Sequence, residues 1–237
     1  MATQAHDTSA AHDTATDDAA ADGPDSGGGD LAIGGDGRAR CVWGVHPEIY
    51  RTYHDTEWGR PVTDERAIFE KLCLEGFQAG LSWLTILRKR EAFRERFHGF
   101  DPEVLAGWGE HEVNDALDDA GIVRNRAKVE ATVGNARAAL ELWEAGDSLV
   151  GLLWAAAGDD GREPPASMAD AGATTPEAAA LSKALKQRGF RFVGPTTVYS
   201  TLQSLGVVND HLAGCWVREE CQAEQDEART RLSDSSG

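Results

Sequence analysis

The chain has 237 residues, with 23 Lys and Arg against 40 Asp and Glu, a formal net charge of −17 at pH 7. That length suits one domain of up to about 200 residues plus tails, and there is neither an apolar run of about 20 residues to span a bilayer nor a basic-then-apolar leader. Four cysteines are too few for a disulfide framework, so Cys beside His in a reducing compartment points to metal.

Residues 1–39 hold eight Asp and one Arg, and residues 218–237 hold six acids and three Arg. These two stretches read as acidic tails around a domain at 40–217. The first lacks any periodic apolar pattern and is expected to be disordered, because it cannot bury enough surface to offset the entropy of ordering. Lysine is scarce, with five among the 23 basic residues. An acidic, lysine-poor surface stays hydrated in concentrated salt, and the reading is a cytoplasmic protein of a halophile.

From Arg40 onward the punctuation is helical. Thr63 is a candidate N-cap, with Asp64 and Glu65 suited to the positive first turn, and Ile68, Phe69 and Leu72 form a stripe ending at Gly76. Ser82 is placed to cap a helix carrying Trp83, Ile86, Arg90, Phe93 and Phe97. Asp101-Pro102 reads as N-cap and first helical position. Val113, Leu117 and Ala120 predict a short helix stopping at Gly121, and Val129 to Trp143 a long one. A shorter helix holds Leu149, Leu153 and Trp154, and residues 158–173 are a Gly/Asp/Pro-rich loop. Thr175-Pro176 opens a helix ended by Gly189. Pro195 to Leu205 is the next, and a last short one carries His211 and Cys215. Glycine-rich phosphate loops between strands are missing, so the expected fold is all-α.

Three groups of residues carry chemistry. His211-x3-Cys215 sets two metal ligands one helical turn apart. Cys41 with His54, or by spacing His46, could complete a tetrahedral set, and four protein ligands leave no open position, the mark of a structural zinc. Trp43, Tyr50, Tyr53 and Trp58 crowd a non-periodic segment, and Trp83 follows Glu75, a carboxylate inside an apolar run. Packing is the commoner fate of aromatics, but rings around a carboxylate suit a flat or cationic ligand such as a nucleobase. Third, Asp118 to Lys128 reads as a hairpin between helices, with Gly121 at the turn and Arg124, Arg126 and Lys128 beside a helix N-terminus that can take phosphate.

The stretches Arg40-Cys41-x-Trp43, Tyr53-His54-Asp55-x-Glu57-Trp58-Gly59 and Leu74-Glu75-Gly76-x-Gln78-Ala79-Gly80-Leu81-Ser82-Trp83 form a long and specific pattern. It continues through Asp119-Ala120-Gly121-Ile122, Gly134-Asn135-Ala136-Arg137, Leu181-Ser182-Lys183-Ala184-Leu185-Lys186 and Val208-Asn209-Asp210-His211. It resembles the DNA-3-methyladenine glycosylase I family of the helix-hairpin-helix glycosylase superfamily, over about residues 40–216. The resemblance implies a helix-hairpin-helix bundle with a structural zinc on Cys41, His54, His211 and Cys215, clamping both ends of the domain. It implies that Glu75 is the central site residue and reads a flipped base, with Tyr53 and Trp83 as stacking walls and Trp43 and Tyr50 completing the pocket. Gln78, Ala79 and Gly80 would wedge the DNA, and the substrate would be double-stranded alkylated DNA, bound by a monomer. There are two rival readings: a non-enzymatic helix-hairpin-helix DNA-binding module with the same zinc, which leaves the Glu75–aromatic set unexplained, and a glycosylase for other alkylated or oxidised bases.

Overall fold

The computed structural model describes residues 30–158 and 163–235. An antiparallel hairpin of β1 (Leu31–Ile33) and β2 (Ala39–Cys41) leads into a short 3-10 turn, Val42–Gly44. Helices α1 (Glu48–Thr56), α2 (Glu65–Gln78), α3 (Trp83–Arg96), α4 (Pro102–Ala106), α5 (Glu110–Asp118) and α6 (Arg126–Glu144) follow. Then come α7 (Leu149–Trp154), α8 (Met168–Ala171), α9 (Pro176–Gln187), α10 (Pro195–Ser204) and α11 (Arg218–Ser235). The bundle is helical, as expected.

The axis of the bundle is α2, whose residues from Ile68 to Phe77 are buried but for Glu70 and Lys71. Its N-cap is Asp64, which accepts from Ala67 N at 2.8 Å, and not Thr63, because the carboxylate one residue later reaches the free amide. Glu65 ties α2 to its neighbours by accepting from Trp143 Nε1 at 2.6 Å and from Val150 N at 2.8 Å. Gly76 lets α2 approach the loop after α9 closely: a Cβ there would lie 3.2 Å from Phe192 Cβ. Asn135 on α6 fixes that loop by accepting from Arg191 N at 2.7 Å, and Ser182 donates to Val193 O at 2.6 Å. Much of the matched pattern is thus the scaffold that holds α2 still. The caps at Ser82, Asp101 and Thr175 are formed as expected.

The ends of the chain differ from expectation. Residues 1–29 lie outside the described residues, as do 159–162 of the loop expected at 158–173, but residues 31–41 form the hairpin. Arg40, 1% exposed, anchors it with ion pairs to Asp36 at 2.7 Å and Asp55 at 2.8 Å. The acidic stretch from Arg218 is a helix that buries Cys221, Gln225 and Ala228. Spacings of four and three residues put these small or amide side chains on one face, a stripe without large apolar residues to reveal it. Arg60 pairs with Glu220 and Glu224, and Gln225 donates to Gly59 O at 2.7 Å, so α11 clasps the turn after α1. The expected last short helix is instead an irregular turn around His211–Cys215, with Gly214 at a φ of +86°. The helix before Gly121 ends at Asp118, leaving Ala120 in the hairpin.

Candidate active site

Cys41, His54, His211 and Cys215 meet, all buried, with their ligand atoms within 4.8 Å of one another. Cys215 Sγ lies 3.4 Å from His54 Nε2 and 3.6 Å from His211 Nδ1, and Cys41 Sγ lies 4.0 Å from His211 Nδ1. Bonds of about 2.0–2.3 Å in a tetrahedron require edges of about 3.3–3.8 Å. Both Cys215 distances fall in that range and the Cys41 distance lies just above it, so the four donors form a group that could hold a metal ion. The outward ring nitrogens are already engaged: His54 Nδ1 with Asp55 at 2.8 Å and His211 Nε2 with Trp58 O at 3.0 Å. Such outer partners fix tautomer and ring orientation. Burial alone would raise the Asp55 pKa, but bonds from Arg40, His54 and Trp216 outweigh it and hold the carboxyl below its usual value. Glycine is required at two positions here. A Cβ on Gly44 would sit 2.4 Å from the His54 ring, and one on Gly59, at a φ of +81°, would sit 2.9 Å from His211 Nε2. The exposed His46 takes no part.

The ligands are interleaved in sequence with the walls of a cavity. Trp43 follows Cys41 by two residues, and Tyr53 precedes His54, so fixing the cluster fixes both rings. The cavity, about 230 Å³, is lined by Trp43, Tyr50, Tyr53, Trp58, Glu75, Gln78 and Trp83, with Met168, Ser200 and Gln203 closing it. Tyr53 and Trp83 are 5.5 Å apart at 45°, and Trp43 meets Trp58 edge-on at 5.0 Å. Every aromatic residue expected at the pocket is present. Trp58 reaches it as well, while its carbonyl holds His211.

Glu75 is 5% exposed, and burial pushes its pKa up against the opposing effect of Lys71. Lys71 is the residue sequence reasoning missed. Its Nζ is 3.6 Å from Glu75 Oε1, donates to Tyr53 OH at 2.6 Å and stands 3.8 Å over the Trp83 ring. Burial lowers its pKa to about 8 despite Glu75. The i, i+4 spacing of Lys71 and Glu75 on one helix was the available signal. Burial first, then Glu75, raises the Tyr53 pKa well above 10, so Tyr53 is a neutral phenol. Trp83 Nε1 is buried without a hydrogen-bond partner among the described residues, which leaves a donor beside the cavity unassigned.

Gln78 ends α2 at the cavity, Ala79 caps the helix, and Gly80 turns the exposed chain at a φ of +81°. The hairpin between α5 and α6 is held by α3: Lys89 Nζ donates to Ala120 O and Gly121 O, and Arg96 pairs with Asp119 at 2.9 Å. Arg124 is exposed, and Arg126 pairs with Glu110 at 3.0 Å. Lys128 departs from expectation. It is 8% exposed, and its ammonium donates to Phe77 O at 2.8 Å and Ala79 O at 2.5 Å. A cation attracted to the carbonyl end of α2 is unavailable to a phosphate.

The family model described as methyladenine glycosylase matches residues 43–219. The chain belongs to the methyladenine glycosylase family. It is 46% identical over 177 residues to DNA-3-methyladenine glycosylase 1 of Escherichia coli (strain K12), covering 74% of this chain and 95% of that one. A DNA-3-methyladenine glycosylase of Haemophilus influenzae is 44% identical over 184 residues, 74% of this chain and 96% of its own length. A crystal structure of 3-methyladenine DNA glycosylase I superposes with a TM-score of 0.71 at 47% identity, covering 75% of this chain and 98% of that one. The Staphylococcus aureus enzyme, in a structure concerned with 3-methyladenine recognition, gives a TM-score of 0.71 at 37% identity, over 76% of this chain and 96% of that one. The hairpin β1–β2 and most of α11 lie outside the residues 43–219 that the family model matches.

Lys128→Met is expected to leave Phe77 O and Ala79 O without their donor and to lower unfolding stability by about 1–3 kcal/mol. Its salt dependence of DNA binding should match the parent. A salt slope smaller by about one charge, with unchanged stability, would return Lys128 to the phosphate contacts.

Proposed function

We infer that this chain is a monofunctional DNA-3-methyladenine glycosylase, hydrolysing the N-glycosidic bond of 3-methyladenine in alkylated double-stranded DNA. A buried carboxylate in a cavity walled by electron-rich rings, in a chain of this family, carries the reading.

Methylation at N3 gives the adenine ring a positive charge, so the base is already a good leaving group. The enzyme's task is to extrude the nucleotide and hold the cationic base as the bond weakens. Tyr53 and Trp83 supply faces for stacking, worth about 1–3 kcal/mol per base, and Glu75 accepts from the exocyclic amine. As the C1′–N9 bond breaks, its electron pair neutralises the base. Water adds to C1′ and loses its proton to solvent, with no strong protein base called on. Glu75 thus acts by recognition in the transition state. Trp43, Tyr50 and Trp58 exclude water from the base.

On the DNA side, Gln78, Ala79 and Gly80 take the place of the extruded nucleotide. Gly121, Arg124 and Arg126 offer backbone and guanidinium contacts to phosphate. Concentrated salt weakens ionic phosphate contacts steeply, so an acidic, salt-adapted cytoplasmic monomer relies more on stacking and backbone donors. The two thiolates and two imidazoles suit zinc, which with four protein ligands is a structural clamp. Asp55 and Trp58 O are its outer supports.

Glu75→Gln is expected to lower release of 3-methyladenine from alkylated duplex DNA about a hundredfold, and Trp83→Ala about tenfold. Chromatography of the released bases measures both, and full activity in the two variants would remove the pocket assignment. Asp55→Ala should weaken zinc about 10–100-fold in competition with a chromophoric chelator; unchanged affinity would place the ion elsewhere.

A further inference from the structure

Beside the pocket's carboxylate, on the wall of a neighbouring cleft, stands a charge that runs against the proposed ligand. Lys71 Nζ lies 3.6 Å from Glu75 Oε1 and faces the Trp83 ring at 3.8 Å, so a base stacked there and bonded to Glu75 comes close to an ammonium. While Lys71 is protonated the pair is neutral overall, and a cationic base gains little from Glu75. Once Lys71 is neutral, the pocket carries one uncompensated negative charge.

We propose that Lys71 is a specificity-determining residue: a resident cation that competes with a positively charged base for Glu75, so that capture of the base is linked to loss of the Lys71 proton. This rests on the reading of the cavity as a site for a cationic base.

The surroundings allow the exchange. The groups facing Lys71 are Glu75 on its own helix, the Tyr53 hydroxyl and Glu57 from α1, and Arg90 from α3. Arg90 is held by Glu57 at 3.0 Å, so Glu57 is not free to replace Glu75 as the partner. A second cleft of about 260 Å³ shares Tyr53 with the first and is lined by Lys71, Arg90 and, from α10, Ser204. The proton can leave to water through that cleft while the base fills the front. The sign follows from the chemistry of an amine. Below its pKa, which burial lowers to about 8, Lys71 is charged and opposes the cation; above it, Lys71 is neutral and the opposition is gone.

The test uses 3,9-dimethyladeninium, a permanent cation with a methyl in place of the sugar, and its neutral counterpart 9-methyladenine. Both are titrated into the full chain by tryptophan quenching from about pH 6 to about pH 9. Affinity for the cation should rise about tenfold through this range, while that for 9-methyladenine stays flat. Lys71→Arg, which keeps its charge, should hold the cation's affinity low and flat. Lys71→Met should remove the titration of the amine, so that near about pH 7 the cation binds about tenfold more tightly than to the parent. Any remaining titration is that of Glu75, which loses the neighbour that lowers its pKa. A merely structural role would weaken binding in both variants at every pH with the parent's profile. That result, or no binding of the cation by the parent, overturns the proposal. Base release from alkylated DNA, assayed alongside, separates the two claims: pH-linked binding without release would end the enzymatic reading and leave the linkage standing.

Discussion

A carboxylate on the most deeply buried helix of a protein has to be compensated, and the architecture around Glu75 is that compensation. An isolated ionised group at such a site would cost far more than a domain's margin of stability. Lys71 one turn earlier offsets its charge, and five aromatic residues and Gln78 line the cavity it faces. The arrangement leaves a cavity beside the carboxylate. A ligand that fills it with a flat face and presents donors to Glu75 completes what the free protein leaves unfinished.

Holding the rings at that cavity is the work of the cysteine–histidine cluster. Cys41 and His54 each sit next to a wall residue, and His211 and Cys215 come from the other end of the domain. The supports reach further than the family pattern does. Asp36 pairs with Arg40, Arg40 with Asp55, and Asp55 with His54, so the hairpin that delivers Cys41 also steadies a second cluster ligand. On the opposite side α11 grips Gly59, whose missing Cβ makes room for His211. The hairpin and α11 brace the cluster from two sides.

What the sequence made legible follows the physics of each signal. Helices with strong caps and apolar stripes, such as those opened by Ser82 and Thr175, could be read directly. So could the pocket, because an acid inside an apolar run and rings in a non-periodic segment are both anomalies. Short segments were harder. Three-residue strands at 31–33 and 39–41 carry no alternation long enough to see, and their anchor is a buried Arg40 that looks like any surface arginine. The stripe on α11 is made of Cys221, Gln225 and Ala228, too small and polar to register as a core face. His211 and Cys215 came together through a turn, although their spacing suggested a helix. Lys128 and Lys71 show a shared limit: a lysine's partners are set by tertiary contacts, here two carbonyls for one and a carboxylate and phenol for the other.

The most direct measurement is chromatography of the bases set free when the purified chain is incubated with methylated duplex DNA in concentrated salt. Free 3-methyladenine in excess over a protein-free control, with unmodified adenine retained in the DNA, is the expected result. DNA binding with no base released would contradict the assignment of the Glu75 cavity as a glycosylase active site.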